Sequence, residues 1–215
     1  MFKAVLFDLD GTFADTAPDL AAALNHVRTL HAMPPLALPV IRPYASLGAP
    51  GLLKLGFCIT PEAAEFAALR TTFLEYYAAH ICVHTTLFPG MAQLVETLEQ
   101  RGIQWGIVTN KAARFTLPLM QALGYAQRAA CLVSGDSCAR AKPYPDPLLK
   151  ACALLTIPPQ QCLYLGDDRR DMEAAHAAAM PCLIAHYGYV DAAADTAAWG
   201  AAGGITAPLA LLDHL

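Results

Sequence analysis

The chain has 215 residues, 56% hydrophobic and 15% charged, enough apolar material for one large domain or a core with an insertion and too much for a disordered or fibrous chain. A formal net charge of −4 without any Lys/Arg run argues against nucleic acid or an anionic membrane surface as partner. No apolar run approaches the ~18 residues of a membrane span and the opening MFKAVLFDLDG is too short in its apolar part for a signal peptide, so the expected location is the cytoplasm.

In chain order, Ala4 to Phe7 is the first of several short apolar runs with the character of strands buried on both faces. The next seventy residues break the pattern: Pro18 to Leu30 places Leu20, Leu24 and Val27 on one helical face, and Thr60-Pro61 opens a second long helical pattern through Phe66, Leu69, Phe73 and Tyr77. Behind Pro89-Gly90, the residues Met91, Leu94, Val95 and Leu98 recur at helical spacing and Gly102 closes the run. Trp105 to Val108 is the second strand, followed by a helix over 112–123 in which Pro118 demands a kink or a start nearer Phe115. After the strand Cys131 to Val133, Asp146-Pro147 supply the N-cap and first turn of a helix carrying Leu148, Leu149, Cys152 and Leu155. The strands Cys162 to Leu165 and Cys182 to Ala185 enclose a small-residue helix over Ala174 to Ala179. Such alternation predicts an α/β fold, a doubly wound parallel sheet with an inserted α-helical cap. The core then comprises residues 1–14 and 86–215 and the cap residues 15–85, thrown over the carboxyl ends of the strands where open α/β sheets bind ligands.

Chemistry gathers at those ends. The first strand runs into Asp8-Leu9-Asp10-Gly11-Thr12, the second into Thr109-Asn110-Lys111, and the third into a loop with Lys142-Pro143. The fourth ends in Gly166-Asp167-Asp168, with Asp171 a turn further on. Any one of these could be an ordinary polar strand end; four on one edge, supplying carboxylates, a hydroxyl and an ammonium, read as a site. Asp8, Asp10, Asp167, Asp168 and Asp171 in one crevice would repel one another, and a hard divalent cation bound through oxygen relieves that, with few His or Cys nearby favouring magnesium over zinc. With Lys142, Thr109, Asn110 and the backbone N–H groups around Gly11, the cation would form a socket for a phosphoryl group. No Ser/His/Asp arrangement and no GxxxxGK[ST] loop is present, and a carboxylate can be the nucleophile, giving an aspartyl-phosphate that water later hydrolyses. Two aspartates at alternate positions divide the work between attack and proton transfer.

LFDLDGTFADT, Thr109-Asn110, Lys142-Pro143 and GDDRRD resemble, in order and at usual spacing, the four motifs of the haloacid dehalogenase superfamily, phosphatase branch, and the resemblance spans the whole chain including a cap after the first motif. It implies a Rossmann-like core, Asp8 as nucleophile, Asp10 as general acid/base, and Thr109 and Lys142 on the phosphate. Asp167 would bind Mg2+ with Asp8 and the Asp10 carbonyl oxygen, and Asp168 and Asp171 would support the metal or Lys142. A carboxylate at Asp10 separates the chain from the dehalogenases themselves. Within the superfamily it is similar to phosphoglycolate phosphatases and to phosphatases of N-acetylmuramic acid 6-phosphate in cell-wall recycling, the latter through LFPGM, WGIVTNKAARF and HYGYVDAAADTAAWGA. The implied substrate is a small phosphorylated metabolite, another sugar phosphate or a phosphomutase reaction being alternatives within the superfamily. A receiver-type phosphoacceptor domain would share the Asp, Thr and Lys but explains neither the second acid nor the insertion, and a catalytically dead binding protein would not need the full set.

Other residues have plainer readings. The seven scattered cysteines, without a CxxC pair, read as reduced and mostly buried thiols. His80 and His84 are helix-end or surface residues, Tyr187 and Tyr189 pack near the site rim, and Trp199-Gly200 is a surface turn. Cap residues are expected to select the substrate: Ser46 to Gly51 is a flexible, backbone-rich stretch that either approaches the substrate or is a plain turn, and Arg42 and Lys54 are the cap cations expected to meet a carboxylate.

Overall fold

A computed structural model describes residues 2–191 and 193–215. Met1, in the first predicted core segment, and Ala192, within HYGYVDAAADTAAWGA, lie outside the described residues.

Six parallel strands form the central sheet: β1 (Ala4–Phe7), β4 (Gln104–Val108), β5 (Cys131–Val133), β6 (Cys162–Gly166), β7 (Cys182–Ala185) and β8 (Gly204–Ile205), in the order β5-β4-β1-β6-β7-β8. The five runs read from the sequence are β1, β4, β5, β6 and β7; β8, at the edge opposite β5, is the strand they did not include. The side chains obey the two-residue period of a strand: Ala4 and Leu6 of β1 and Cys162 and Tyr164 of β6 enter one buried cluster, Val5 and Phe7 with Leu163 and Leu165 the other. Helices α5 (Met91–Gln100) and α6 (Ala113–Ala122) cover the second face through Leu94, Leu98 and Leu119. Helices α7 (Asp146–Leu155) and α8 (Arg169–Ala177) cover the first through Leu148, Cys152 and Met172. Because the chain builds outward from β1 to β5 and then returns to β6 on β1's other side, the reversal falls beside β1. That is the place where a doubly wound sheet opens a crevice.

The insertion contains α1 (Ala17–Leu30), α2 (Leu38–Ile41), a 3-10 turn over Arg42–Leu47, α3 (Gly48–Phe57) and α4 (Phe66–Ala79). Its own apolar cluster joins Leu24 and Val27 of α1, Leu52 and Leu53 of α3, and Phe66, Leu69, Phe73 and Tyr77 of α4 to Phe115 and Tyr189 of the sheet layer. The chain leaves and re-enters the sheet layer side by side, where β2 (Ala14–Asp15) pairs antiparallel with β3 (Thr86–Leu87). Among the described residues no helix is long and apolar enough to cross a membrane.

Four local expectations are corrected. The second long cap helix starts at Phe66 rather than at Thr60, because residues 60–65 form turns closed by Ala63 N–H to Thr60 O at 3.0 Å and Phe66 N–H to Ala63 O at 3.1 Å. Asp146 is the first residue of α7 and not its cap: its carboxylate accepts from Arg140 at 3.2 and 3.0 Å, and Pro145 holds the cap position. Helix α6 starts at Ala113, ahead of Phe115, and continues through Pro118. Helix α8, expected over Ala174 to Ala179, spans Arg169–Ala177, because Asp168 and Asp171 form a reciprocal capping box on its first turn.

Candidate active site

Asp8 extends the β1–β6 ladder by one residue, its N–H donating to Leu165 O at 2.9 Å, so its carboxylate stands at the sheet's carboxyl edge. The chain then turns back within six residues, with Phe13 N–H on Asp8 O (3.2 Å), Ala14 N–H on Leu9 O (2.9 Å) and Gly11 N–H on Ala14 O (3.1 Å). Gly11 has φ +83°, and a Cβ there would lie 2.2 Å from Asp167 Oδ2; the turn needs both glycine's backbone freedom and its lack of a side chain. The reversal sends Asp10 a different way. Its carboxylate accepts from Lys111 Nζ at 2.8 and 3.0 Å and from the Thr16 hydroxyl at 2.5 Å.

Lys142 is almost fully buried, and its ammonium lies 2.9 Å from Asp8 Oδ1, 2.7 Å from Asp171 Oδ1, 2.8 Å from Tyr164 Oη and 3.0 Å from Val108 O. Burial alone would lower its pKa, but Asp171 and Asp8 outweigh that and hold it above the usual lysine range. The backbone of Lys142 is fixed by Asn110, whose side chain accepts from its N–H and donates to its C=O, both at 2.9 Å. Thr109 continues β4, its N–H on Val133 O at 2.9 Å, and its hydroxyl accepts from Lys111 N–H at 3.1 Å.

Asp167 accepts from the Thr12 hydroxyl (2.8 Å), the Ser46 hydroxyl (3.1 Å) and Tyr189 N–H (3.0 Å). Burial, then the charges of Asp8 and Asp171, push its pKa well above the carboxylate range. Asp8 is pushed up to about 6, by burial first, against the pull of Lys142. Asp8, Asp167 and Asp171 each offer a buried carboxylate oxygen within 4.8 Å of the others, and Lys142 alone cannot neutralise all three. An all-oxygen donor set with uncompensated negative charge fits a hard divalent cation. Asp168 turns elsewhere: it caps α8 and pairs with Arg170 at 2.8 Å. Asp171 spends one oxygen on that capping box and the other on Lys142.

These groups open into a cavity of about 290 Å³ between the sheet edge and the inserted helices. Asp8, Asp10, Thr109, Asn110, Lys142, Asp168 and Asp171 line it; Gly11 and Asp167 stand behind. The stretch Ser46 to Gly51 forms the end of the 3-10 turn and the first turn of α3. It reaches the site, Ser46 Oγ bonding Asp167 while its carbonyl accepts from Arg170 at 2.8 Å. Neither Arg42 nor Lys54 lines the cavity. Arg42 pairs with Asp15 at 2.7 Å and lies over the Tyr189 ring, and Lys54 is solvent-exposed on α3.

Tyr189 and Tyr187 tie the site to the insertion's base. Tyr189 Oη accepts from Ala17 N–H and donates to Asp15 Oδ1, both at 2.8 Å, and Tyr187 donates to Thr12 O at 3.0 Å. His80 stacks on Tyr76 at the end of α4, and His84 N–H donates to Asp19. Thr12, Lys111 and Arg170 lie within the strand-end motifs and Ser46 heads the stretch Ser46 to Gly51, but the sequence gives none of the four the contact it makes here.

A doubly wound sheet whose carboxyl edge gathers buried carboxylates around one lysine, under inserted helices, defines an α/β enzyme. Residues 5–185 match the family model described as haloacid dehalogenase-like hydrolase, and the chain belongs to that family. It is 40% identical over 213 residues to the N-acetylmuramic acid 6-phosphate phosphatase of Pseudomonas aeruginosa, covering 99% of this chain and 94% of that protein. It is 41% identical over 199 residues to the phosphoglycolate phosphatase of Xanthomonas campestris pv. campestris, covering 93% and 90%. The crystal structure of a predicted phosphoglycolate phosphatase from Haemophilus somnus 129PT aligns with a TM-score of 0.87 at 26% identity, covering 99% of this chain and 97% of that one.

Proposed function

We propose that this protein is a magnesium-dependent phosphomonoesterase that acts through an aspartyl-phosphate on a small phosphorylated acid, phosphoglycolate or N-acetylmuramic acid 6-phosphate, the compounds for which its relatives are named. Residues 1–14 and 86–215 are the catalytic core and 15–85 the cap. The observation that carries the reading is the separation of the two aspartates. Asp8 lies with Lys142 at 2.9 Å in the carboxylate cluster, while Asp10 is drawn aside by Lys111 at 2.8 Å.

In this reading an Asp8 oxygen attacks phosphorus, the bond from phosphorus to the substrate's ester oxygen breaks, and Asp10, entering this step in its protonated form, delivers that proton to the ester oxygen. Asp10, now a carboxylate, takes a proton from water as the water oxygen attacks the acyl phosphate; inorganic phosphate leaves and Asp8 is regenerated. Lys142, Thr109, Asn110 and the turn at Gly11 hold the phosphoryl oxygens, and Lys142 also keeps Asp8 ionised for attack. Asp8, Asp167 and the Asp10 carbonyl oxygen would hold Mg2+, which would neutralise charge on the phosphoryl group, while Asp171 supports Lys142 and Asp168 fixes α8.

The test is phosphate release from both compounds and a panel of sugar phosphates, with magnesium and with chelator. Release that requires magnesium and disappears in Asp8→Asn is the expected result. Absence of magnesium-dependent release from every compound would overturn the reading.

A further inference from the structure

Four carboxylates and five cationic side chains line the cavity. Every one of those carboxylates has a lining cation as partner: Asp10 has Lys111, Asp8 and Asp171 share Lys142, and Asp168 has Arg170. The remaining two cations, Arg70 on α4 and Arg114 in the first turn of α6, make no ion pair among the described residues. Arg114 lies over the Phe115 ring with its centre 4.7 Å from the centroid, which orients the guanidinium without neutralising it. The cavity therefore has one pole where every lining cation is already spent on carboxylates and a second pole with positive charge to spare.

The wall adds two further features. Phe73, Leu74, Tyr77 and Phe115 line the cavity as an apolar surface. Among the described residues the Tyr77 hydroxyl is buried without a hydrogen-bond partner, the Lys111 ammonium lying over the ring at 4.7 Å. Burial pushes that phenol up to about 12, so it remains a donor. Buried polar groups rarely stay unpaired, and a hydroxyl-bearing ligand would satisfy this one. A two-carbon acid has no body to cover an apolar wall or to reach a hydroxyl on the way from one pole to the other.

Resting on the phosphomonoesterase reading, we infer that Arg70 and Arg114 form a carboxylate-binding clamp, one arginine from the inserted helices and one from the sheet layer, and that the site selects a phosphorylated sugar acid over phosphoglycolate. Both arginines are specificity-determining residues, joined by Tyr77, which meets the polar face of the sugar.

The experiment compares kcat/KM for N-acetylmuramic acid 6-phosphate, for N-acetylglucosamine 6-phosphate, which lacks only the carboxylate-bearing ether, and for 2-phosphoglycolate, with p-nitrophenyl phosphate as a general phosphoryl donor. Wild type should favour the muramic compound over the other two metabolites. In Arg70→Ala and in Arg114→Met, which retains an apolar stem over Phe115, the muramic-to-glucosamine ratio should fall about tenfold or more, the worth of a hydrogen-bonded charge, chiefly through KM. Arg114→Lys should recover part of the ratio by restoring the charge without the fork. A thermal midpoint close to wild type certifies each variant's fold. An unchanged ratio in both alanine and methionine variants, or a wild type that prefers phosphoglycolate, overturns the clamp while p-nitrophenyl phosphate turnover leaves the phosphatase reading intact. No turnover of any compound, p-nitrophenyl phosphate included, removes that reading and the clamp with it.

Discussion

Asp8 is buried at the carboxyl edge of the sheet, and burial pushes its pKa up to about 6, so the folded chain resists the charge that the proposed attack on phosphorus needs, at a cost of roughly 3 kcal/mol. Asp8→Asn is therefore expected to lower phosphate release about a thousandfold or more and, at pH 7 without metal, to stabilise the fold by about 1–3 kcal/mol. Calorimetry beside a phosphate assay tests both, and an inactive variant that melts below wild type would contradict the electrostatic part. The same residue shows what was legible from sequence. Asp8, Asp10, Thr109, Lys142 and Asp167 follow short apolar runs, so a strand-end reading collects them on one edge, and there the structure has them. Lys111, Ser46, Tyr77 and the two unpaired arginines owe their roles to contacts between segments far apart in the chain, which periodicity does not encode. For the same reason Arg42, a free cation on paper, is tied to Asp15 at the base of the insertion.

At the level of elements, the inserted helices are anchored by unusual terminal chemistry. Thr16 occupies the N-cap of α1 but makes no capping bond; its hydroxyl goes to Asp10, and Tyr189 caps Ala17 instead. Local sequence would have assigned Thr16 to the helix, and a tyrosine 172 residues away could not have been paired with it. The returning chain is caught by Asp19, almost fully buried, which accepts from the N–H groups of Val83, His84 and Thr85 and from the Thr85 hydroxyl at 2.7 to 3.1 Å. The two-residue strands β2 and β3 at this junction are too short to carry a periodic signal, although the long helices on either side of it do. Asp19→Ala strands three backbone donors near a buried hydroxyl and is expected to cost about 3 kcal/mol, a fall of roughly 6–12 °C in the melting midpoint. Asp19→Asn keeps an acceptor and should lose less; equal losses would locate the effect in packing rather than hydrogen bonding.

For the molecule as a whole, the buried carboxylates couple stability to pH and, in the proposed reading, to magnesium. Between about pH 4 and 6 Asp8 holds a proton in the folded chain that it has lost in the unfolded one, and Asp167 extends the window upward. The unfolded state thus binds fewer protons, and stability declines as pH rises. Asp168 and Glu99, whose pKa values are lowered, act the other way, but their stabilisation is complete above the ordinary carboxylate range and is lost only in more acidic solution. Over pH 5 to 7 the raised groups therefore set the slope, and the metal-free protein should melt at a lower temperature at pH 7 than at pH 5. Magnesium bound to ionised carboxylates opposes this. At a hundredfold excess over its dissociation constant it should add about 2.7 kcal/mol at pH 7, roughly 5–11 °C, and the gain should shrink toward pH 5 as protons compete for the same oxygens. Melting curves with magnesium and with chelator across that range measure the gap directly. A gap that stays constant with pH would place the cation on groups other than Asp8 and Asp167, because only carboxylates held protonated by the fold make metal and proton exclude one another in this window.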